Sequence, residues 1–452
     1  MKKLLAILLS VIMVLSLVAC GNKTPDETPG NDDQQQNTET ETKTIKVGLI
    51  CIGDENDQGY TYNFYRAKDS VTEKMAAKGV TLDWNIITNI GEDDGCTDAC
   101  VELAEAATEA LAAKGINVDW VVKYNIGEDS TCEDANIELA EEGCELIFNN
   151  SYGFEPFMLK VAPDYPEIQF VGCTNQGSWN DGLDNTHNAF ANIYEGRYLA
   201  GVAAGMKLQQ PIDEGTIKPE EAVIGYVGAY SFAEVISGMT SYFLGARSVC
   251  PSVTMKVQFV GSWSDATEES NAASALCDLG CKLISQHSDN TTPATMAQSK
   301  GAFHTGYNND MTGVAPDASI IGCRIDWTNY FVYAIESVAN GQEFDQDYCY
   351  GYDHGDVVLT ELNEKIAAPG TAEKLAEVEA GLADGSIKVF DTSTFTVDGE
   401  TLTSAFALDT DGDFTPDSEE AVFDGAFHES YFQSAPYFAI KIDGIEWLNS
   451  AF

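Results

Sequence analysis

From Ile45 onward the chain repeats one pattern: a short apolar run rich in β-branched residues, a polar loop, then a stretch of helical periodicity. Such runs fall at Ile45 to Ile52, Glu145 to Asn149, Ile168 to Cys173, Val223 to Ala229, Met255 to Gly261, Lys282 to His287 and Ile320 to Ile325. Strands separated by helices imply a mostly parallel sheet covered on both faces, and two successive sets imply two α/β lobes. Lobe 1 is expected over 45–174 and 323–345, lobe 2 over 175–322 and 346–452. In such sheets ligands bind beyond the carboxyl ends of the strands, so the loops that follow the strands are the candidate functional segments.

One internal repeat stands out. Residues 75–105 and 111–141 align at a constant offset of 36 with 18 identities in 31 positions. A solenoid needs at least about three stacked units. Two copies read instead as a duplicated strand–loop–helix piece within lobe 1, which adds a strand to the sheet or loops one copy out. The two Asn-Ile-Gly-Glu-Asp loops, 89–93 and 125–129, would sit at a strand end.

The N-terminus carries Lys2 and Lys3, an apolar run from Leu4 to Val18 and Leu17-Val18-Ala19-Cys20. A charged start, a run of about 15 apolar residues and small residues at the cut describe a secretory signal over 1–19, too short for a comfortable transmembrane helix. Leu-x-Ala-Cys resembles the bacterial lipobox, which makes Cys20 the expected lipid anchor; the rival is an ordinary secretory signal with an incidental cysteine. Residues 20–44 contain no aromatic and almost nothing apolar, so they are expected to be a flexible acidic tether. The protein is thus expected outside the cytoplasm, lipid-anchored to the cell membrane. Removing 1–19 takes away two lysines and no acid, moving the net charge from −48 to −50. That charge repels nucleic acid and leaves no nucleic-acid partner.

The first strand ends in a loop that contains Asp57, Tyr60 and Tyr62, an acceptor beside two aromatic faces. Asn149, Ser151 and Tyr152 follow the strand at Glu145, and later strand ends supply Trp263, Asp289, Asn308 with Asp310, and Trp327. Polar–aromatic loops from both lobes would line one cleft, a combination suited to a planar, hydrogen-bonding ligand.

These loops also carry a resemblance. Asp57-Gln-Gly-Tyr-Thr-Tyr, Ser151-Tyr-Gly-Phe, Tyr194-Glu-Gly-Arg-Tyr-Leu-Ala-Gly, Glu234-Val-Ile-Ser-Gly-Met, Leu244-Gly-Ala-Arg-Ser-Val, Ser285-Gln-His-Ser-Asp and Gly306-Tyr-Asn-Asn-Asp-Met resemble the basic-membrane-protein family, in order from about Ile45 to Gly341. Its members are solute-binding lipoproteins of purine nucleoside ABC importers. The resemblance implies a type I periplasmic-binding-protein fold with a three-stranded hinge, a purine nucleoside or nucleobase ligand, and an ABC permease with its ATPase as partners. The family's aspartate-and-aromatic motif maps to Asp57 and Tyr60, its SFGY-like motif to Ser151 and Tyr152, and its QHTDS-like motif to Asp289. Its GYDSDM-like motif maps to Asn308 and Asp310, with Asn308 where an acid is more usual. The duplication and the tail from about 364 to 452 depart from the family pattern.

No nucleophile elbow, phosphate loop or HExxH helix occurs, so no enzyme, cofactor or metal is expected. The five histidines read as structural or surface residues, the cysteines left after lipidation as mostly free buried thiols, and Arg197 and Arg247 as partners of neighbouring acids. Asp409 to Asp417 has its glycine at the fourth position, not the sixth of a calcium loop, and reads as a solvated turn. Alternating residues around Asp398-Gly399 read as a hairpin assigned to lobe 2. The expected function is capture of a purine by lobe closure. The rivals are a sugar or other small-molecule receptor on the same fold, a surface nucleoside hydrolase, and a sensor or adhesin without a transporter.

Overall fold

The computed structural model describes residues 43–53, 111–112, 114–174, 177, 182–410 and 415–451, and the backbone of 85–86. The expected signal at 1–19, Cys20, all but the last two residues of the 20–44 tether, and Asp57, Tyr60 and Tyr62 lie outside these residues.

The first sheet contains β1 (Lys43–Ile50), β2 (Asn85–Ile86), β3 (Ile116–Lys123), β4 (Leu146–Asn149), β5 (Gln169–Gly172) and β6 (Thr186–Ala191). A late strand, β12 (Asp347–Tyr350), completes it, and the order is β12-β6-β5-β4-β1-β3-β2 with every neighbouring pair parallel. All residues of β4 and β6 are buried, as expected of a parallel sheet covered on both faces. On one face, α1 (Ser130–Glu141) and α2 (Glu155–Val161) pack Leu139 and Met158 against Ile50, Val121 and Ile147. On the other lies α7 (Thr328–Asn340), whose Phe331 ring sits 4.3 Å from Phe148 and 5.6 Å from Trp120.

The second sheet contains β7 (Val223–Gly228), β8 (Thr254–Phe259), β9 (Leu283–His287), β10 (Phe303–Tyr307), β11 (Ser319–Ile325), β13 (Val357–Leu359) and β18 (Ile445–Trp447). Its order is β13-β11-β10-β9-β7-β8-β18, and only β13 runs antiparallel to its neighbour. Here α3 (Ile193–Asp213) and α4 (Ala233–Val249) pack backbone to backbone. A Cβ on Gly201 would fall 2.0 Å from the Tyr242 carbonyl oxygen, and one on Gly245 would fall 2.0 Å from that of Tyr198. Only glycine permits this approach. The helices α5 (Ala266–Asp278), α6 (Thr292–Lys300) and α8 (Thr371–Ala383) complete the lobe. Among the described residues no helix is long and apolar enough to cross a membrane.

Three connections cross between the lobes: β6 to α3 at Asn192, β11 to α7 at Asp326, and β12 to β13 over 351–356. They are tied together where Asn192 N donates to Tyr350 O at 2.9 Å, Tyr352 N to the Glu195 carboxylate at 2.8 Å, and Asp326 N to Asp356 O at 2.8 Å. These crossings correct the expected boundaries. Strand β6 belongs to lobe 1, so the first crossing falls at 192 and not 174. The second falls at 326 and not 323, and the third after β12 and not at 345. The reason for the largest shift is that Thr186-His-Asn-Ala-Phe-Ala reads as polar, yet every residue is buried between β5 and β12.

The duplication adds a strand. Asn85 pairs with Val121 and Ile86 with Val122, a separation of 36 residues that equals the repeat offset. Equivalent positions of the two copies therefore lie side by side at the sheet edge. The second copy supplies β3, the 125–129 loop and α1; most of the first lies outside the described residues.

The C-terminal segment also differs from expectation. Its Asp398-Gly399 turn, with both φ values positive, closes only a single antiparallel bridge between Val397 and Glu400, not the longer hairpin. Phe390, Phe395, Phe427, Tyr437 and Phe438 enter the core of lobe 2, and β18 extends its sheet. Ser434 instead reaches lobe 1: its amide donates to Asp347 at 2.8 Å and its hydroxyl accepts from Asn188 at 2.6 Å. The tail assigned wholly to lobe 2 thus straddles both lobes.

Candidate functional site

Because all strands of a parallel sheet end on the same edge, the two lobes present their carboxyl edges to one another across a cleft of about 430 Å³. From lobe 1 come Ile52 after β1, Ser151 and Tyr152 after β4, Cys173 and Thr174 after β5, and Phe190 of β6. Lobe 2 supplies Glu234 at the start of α4, Trp263 after β8, Asp289 after β9, and Tyr307 and Asn308 at the end of β10. An aromatic ladder spans the lobes. Tyr152 stacks on Phe232 at 6.1 Å, Phe232 on Tyr230 at 5.0 Å, and Trp263 meets Tyr230 edge-on at 5.3 Å. A second space of about 1000 Å³ adjoins the first, shares Tyr152, Thr174, Glu234 and Trp263 with it, and is bounded by Thr415, Pro416, Ala435, Pro436 and Ala439 of the tail.

Beneath the floor lies a buried cation. Arg197 is fully buried and donates to Gly306 O at 3.2 Å, the Tyr226 hydroxyl at 2.8 Å, Ser285 Oγ at 3.1 Å and Gln286 O at 3.0 Å. The rings of Tyr226, Tyr242 and Tyr307 surround it at 5.0–5.5 Å. The expected acid partner is replaced by carbonyls, hydroxyls and π faces, since no ion pair among the described residues includes Arg197. Arg247 likewise donates to the carbonyls of Asp443 and Thr394. Tyr226 in turn sits 3.4 Å from His287 Nδ1, and His287 Nε2 lies 3.3 Å from Glu234 Oε1. Burial holds the His287 pKa below its ordinary value, so the ring is neutral and donates from Nε2 to Glu234. The chain Arg197–Tyr226–His287 therefore fixes the Glu234 carboxylate at the cleft wall. On the opposite wall, Glu128 of the second repeat copy accepts from Ser151 Oγ at 2.7 Å and Gly153 N at 3.0 Å.

Among the described residues no cluster of three metal-ligating side chains occurs, and seven of the nine described cysteines are buried. Cys96, Cys100 and residues 411–414 of the Asp409–Asp417 turn lie outside the described residues.

Residues 101–387, more than half of the 452-residue chain, match the Bmp family, described as ABC transporter substrate-binding protein, PnrA-like. The chain belongs to this family. A purine-binding protein of Brucella abortus (strain 2308) is 28% identical over 347 residues, 76% of this chain and 83% of that one. A protein of Haloferax volcanii, named provisionally as an ABC transporter glucose-binding protein, is 30% identical over 251 residues, 56% of this chain and 60% of that one. The crystal structure of an ABC transporter solute-binding protein from Aeropyrum pernix K1 aligns with a TM-score of 0.55 at 16% identity, over 76% of this chain and 93% of that one, which shows a shared fold. This Bmp protein is accordingly a substrate-binding component of an ABC transporter, with the α/β fold of such proteins.

Of the site residues read from the sequence, Ser151, Tyr152, Trp263, Asp289 and Asn308 meet in the cleft. Three others do not line it. Asn149 turns its amide into lobe 1, where it exchanges hydrogen bonds with Asn136 at 2.8 and 3.1 Å. Asp310 caps the short helix Met311–Gly313 by accepting from Thr312 N at 2.9 Å. Trp327 is 1% exposed in the lobe 1 core, behind Phe190 at 6.4 Å. Asn149 ends β4, and Asp310 and Trp327 follow β10 and β11, but each side chain is engaged away from the cleft. The lining residues Glu234, Thr174, Phe190 and Tyr307 were missed. Glu234 and Tyr307 stood within the quoted family motifs, whereas nothing in the composition near Thr174 or Phe190 distinguishes them.

Proposed function

We propose that this Bmp protein captures a purine nucleoside or nucleobase between its lobes, by closure about the three crossings, and delivers it to an ABC permease. One observation carries the reading. The described lining combines aromatic faces with two carboxylates, Glu234 and Asp289, and includes no lysine, arginine or histidine. Such a cleft suits an uncharged planar ligand rich in hydrogen-bond donors and repels a phosphate, which selects nucleosides and bases over nucleotides. The relative named as purine-binding supports the same class. Chemistry is not required: an incubated nucleoside should be recovered intact, and its cleavage would favour the hydrolase reading. The lipobox-like sequence supports lipid anchoring outside the cytoplasm through Cys20, with Cys20→Ala expected to release the protein into the medium.

A ligand in hundredfold excess over its dissociation constant stabilises the protein by about 2.7 kcal/mol. Thermal-shift screening of adenosine, inosine, guanosine, their free bases, glucose and amino acids is the direct test. Stabilisation by purines is expected. A sugar is the second reading, because aromatic faces and carboxylates also suit pyranose rings and one relative is named for glucose. A shift with glucose and none with any purine would establish the sugar reading instead.

A further inference from the structure

The polar groups of the cleft are not equally engaged. Ser151 donates to Glu128, Thr174 lies 3.4 Å from Asn188, and Glu234 is held by His287. Asn308 differs: it is 0% exposed, it lines the cleft, and neither Oδ1 nor Nδ2 has a hydrogen-bond partner. Leaving a buried carboxamide unpaired is costly, so such a side chain is either a defect or a group kept for a ligand. Its setting argues for the second. Asn308 has φ +57°, a left-handed conformation that asparagine tolerates better than most residues, and its amide is pinned to Cys323 O at 2.8 Å. The turn that follows closes over two glycines: a Cβ on Gly306 or Gly322 would lie 2.9 or 2.8 Å from Asn309 O. The backbone that carries the carboxamide is thus fixed before any ligand arrives. The neighbouring Tyr307 hydroxyl, also buried and lining the cleft, is likewise unpaired.

A carboxamide offers one acceptor beside one donor. Its bidentate complement is a ligand edge with one donor beside one acceptor, whereas a carboxylate complements two adjacent donors. Resting on the purine reading above, the geometry assigns Asn308 as the specificity-determining residue that selects a purine whose six-position edge carries adjacent donor and acceptor atoms. Two sources share this chemistry: the amino group and ring nitrogen of a 6-aminopurine, and the N–H and carbonyl of a 6-oxopurine. Unsubstituted purine, with ring acceptors and no donor at that edge, lacks it.

The experiment measures dissociation constants by calorimetry for adenine, hypoxanthine, guanine and unsubstituted purine, with the full-length protein, Asn308→Leu and Asn308→Asp. The unaltered protein should prefer adenine or hypoxanthine over unsubstituted purine by about ten- to hundredfold, the worth of one bidentate amide–base pair. Whichever of the two binds more tightly identifies the source of the edge. Asn308→Leu should erase that preference, and Asn308→Asp should weaken adenine and hypoxanthine tenfold or more while costing guanine, with its adjacent N1 and N2 donors, less. Equal affinity of the unaltered protein for adenine, hypoxanthine and unsubstituted purine overturns the assignment without needing either variant to fold. So does an unchanged ranking in both variants. Absence of binding by every purine overturns the purine reading itself, which is a distinguishable result.

Discussion

Glu429 is where the C-terminal segment meets lobe 2, and its titration tests how the tail is held. The residue is 6% exposed, and its carboxyl accepts from Tyr437 N at 2.8 Å, Phe438 N at 2.9 Å and the Ser237 side chain on α4. Burial disfavours the charge and the three donors favour it; burial prevails and pushes the carboxyl up to about 8 from an ordinary 4.5. The folded protein then binds this proton more tightly than the unfolded chain. The resulting stability is fully present below pH 4.5 and is lost as pH rises through about 8. At about 1.4 kcal/mol per pH unit, the interval bounds the loss at about 5 kcal/mol. Glu429→Gln is the isolating perturbation, since glutamine resembles the protonated acid in shape and charge and does not titrate. Urea unfolding of both proteins between pH 4.5 and 9 gives the difference in unfolding free energy, in which the contributions of other titrating groups cancel. That difference should shift in favour of the variant by on the order of 3–5 kcal/mol with rising pH. A difference that stays flat from pH 5 to 8 would refute the reasoning, and one that moves toward the wild type would mean that the donors outweigh burial.

At the acid end, burial holds His187 down to about 4 and His304 to about 3, so both are neutral in the fold. Their contribution is present above pH 6.5 and is lost as pH falls through about 4; the difference in unfolding free energy between the wild type and His304→Gln, in which the other titrating groups cancel, should move toward the variant between pH 7 and 4, and a flat difference would contradict it. Gly201→Ala forces a methyl to within 2.0 Å of the Tyr242 carbonyl oxygen, so α3 and α4 must separate. Urea midpoints should report a loss of roughly 2 kcal/mol or more despite alanine's better helix propensity, and a gain would show the helices can part freely. Arg197→Met leaves Gly306 O, Tyr226, Ser285 and Gln286 O without their donor. A stability loss of at least about 3 kcal/mol is expected by denaturant unfolding, while a neutral result would mean that removing the buried charge offsets the lost bonds.

Much of the cleft was legible because of one geometric rule. Apolar runs of four to eight residues between helical stretches identify strands, and a parallel sheet puts all their following loops on one edge. Ser151, Tyr152, Trp263, Asp289 and Asn308 could therefore be grouped without knowing the strand order. The rule fails where a side chain at or beyond a strand's end turns inward, as those of Asn149 and Trp327 do, because direction depends on what packs around it. It also fails where a strand carries polar residues satisfied only by neighbours distant in sequence. His187 in β6 bonds Gln169 at 2.8 Å and Asn188 bonds Ser434, 246 residues away.

The α/β class, the two lobes, the duplication and the chemical character of the strand-end loops all follow from local periodicity and composition. Long-range packing places the duplicated strand at the sheet edge, encloses Arg197 in aromatic rings, and carries the tail between β18 in lobe 2 and Asn188 and Asp347 in lobe 1. These outcomes rest on contacts between segments far apart along the chain, whose energies depend on mutual burial, and no local pattern encodes which partner each segment will meet.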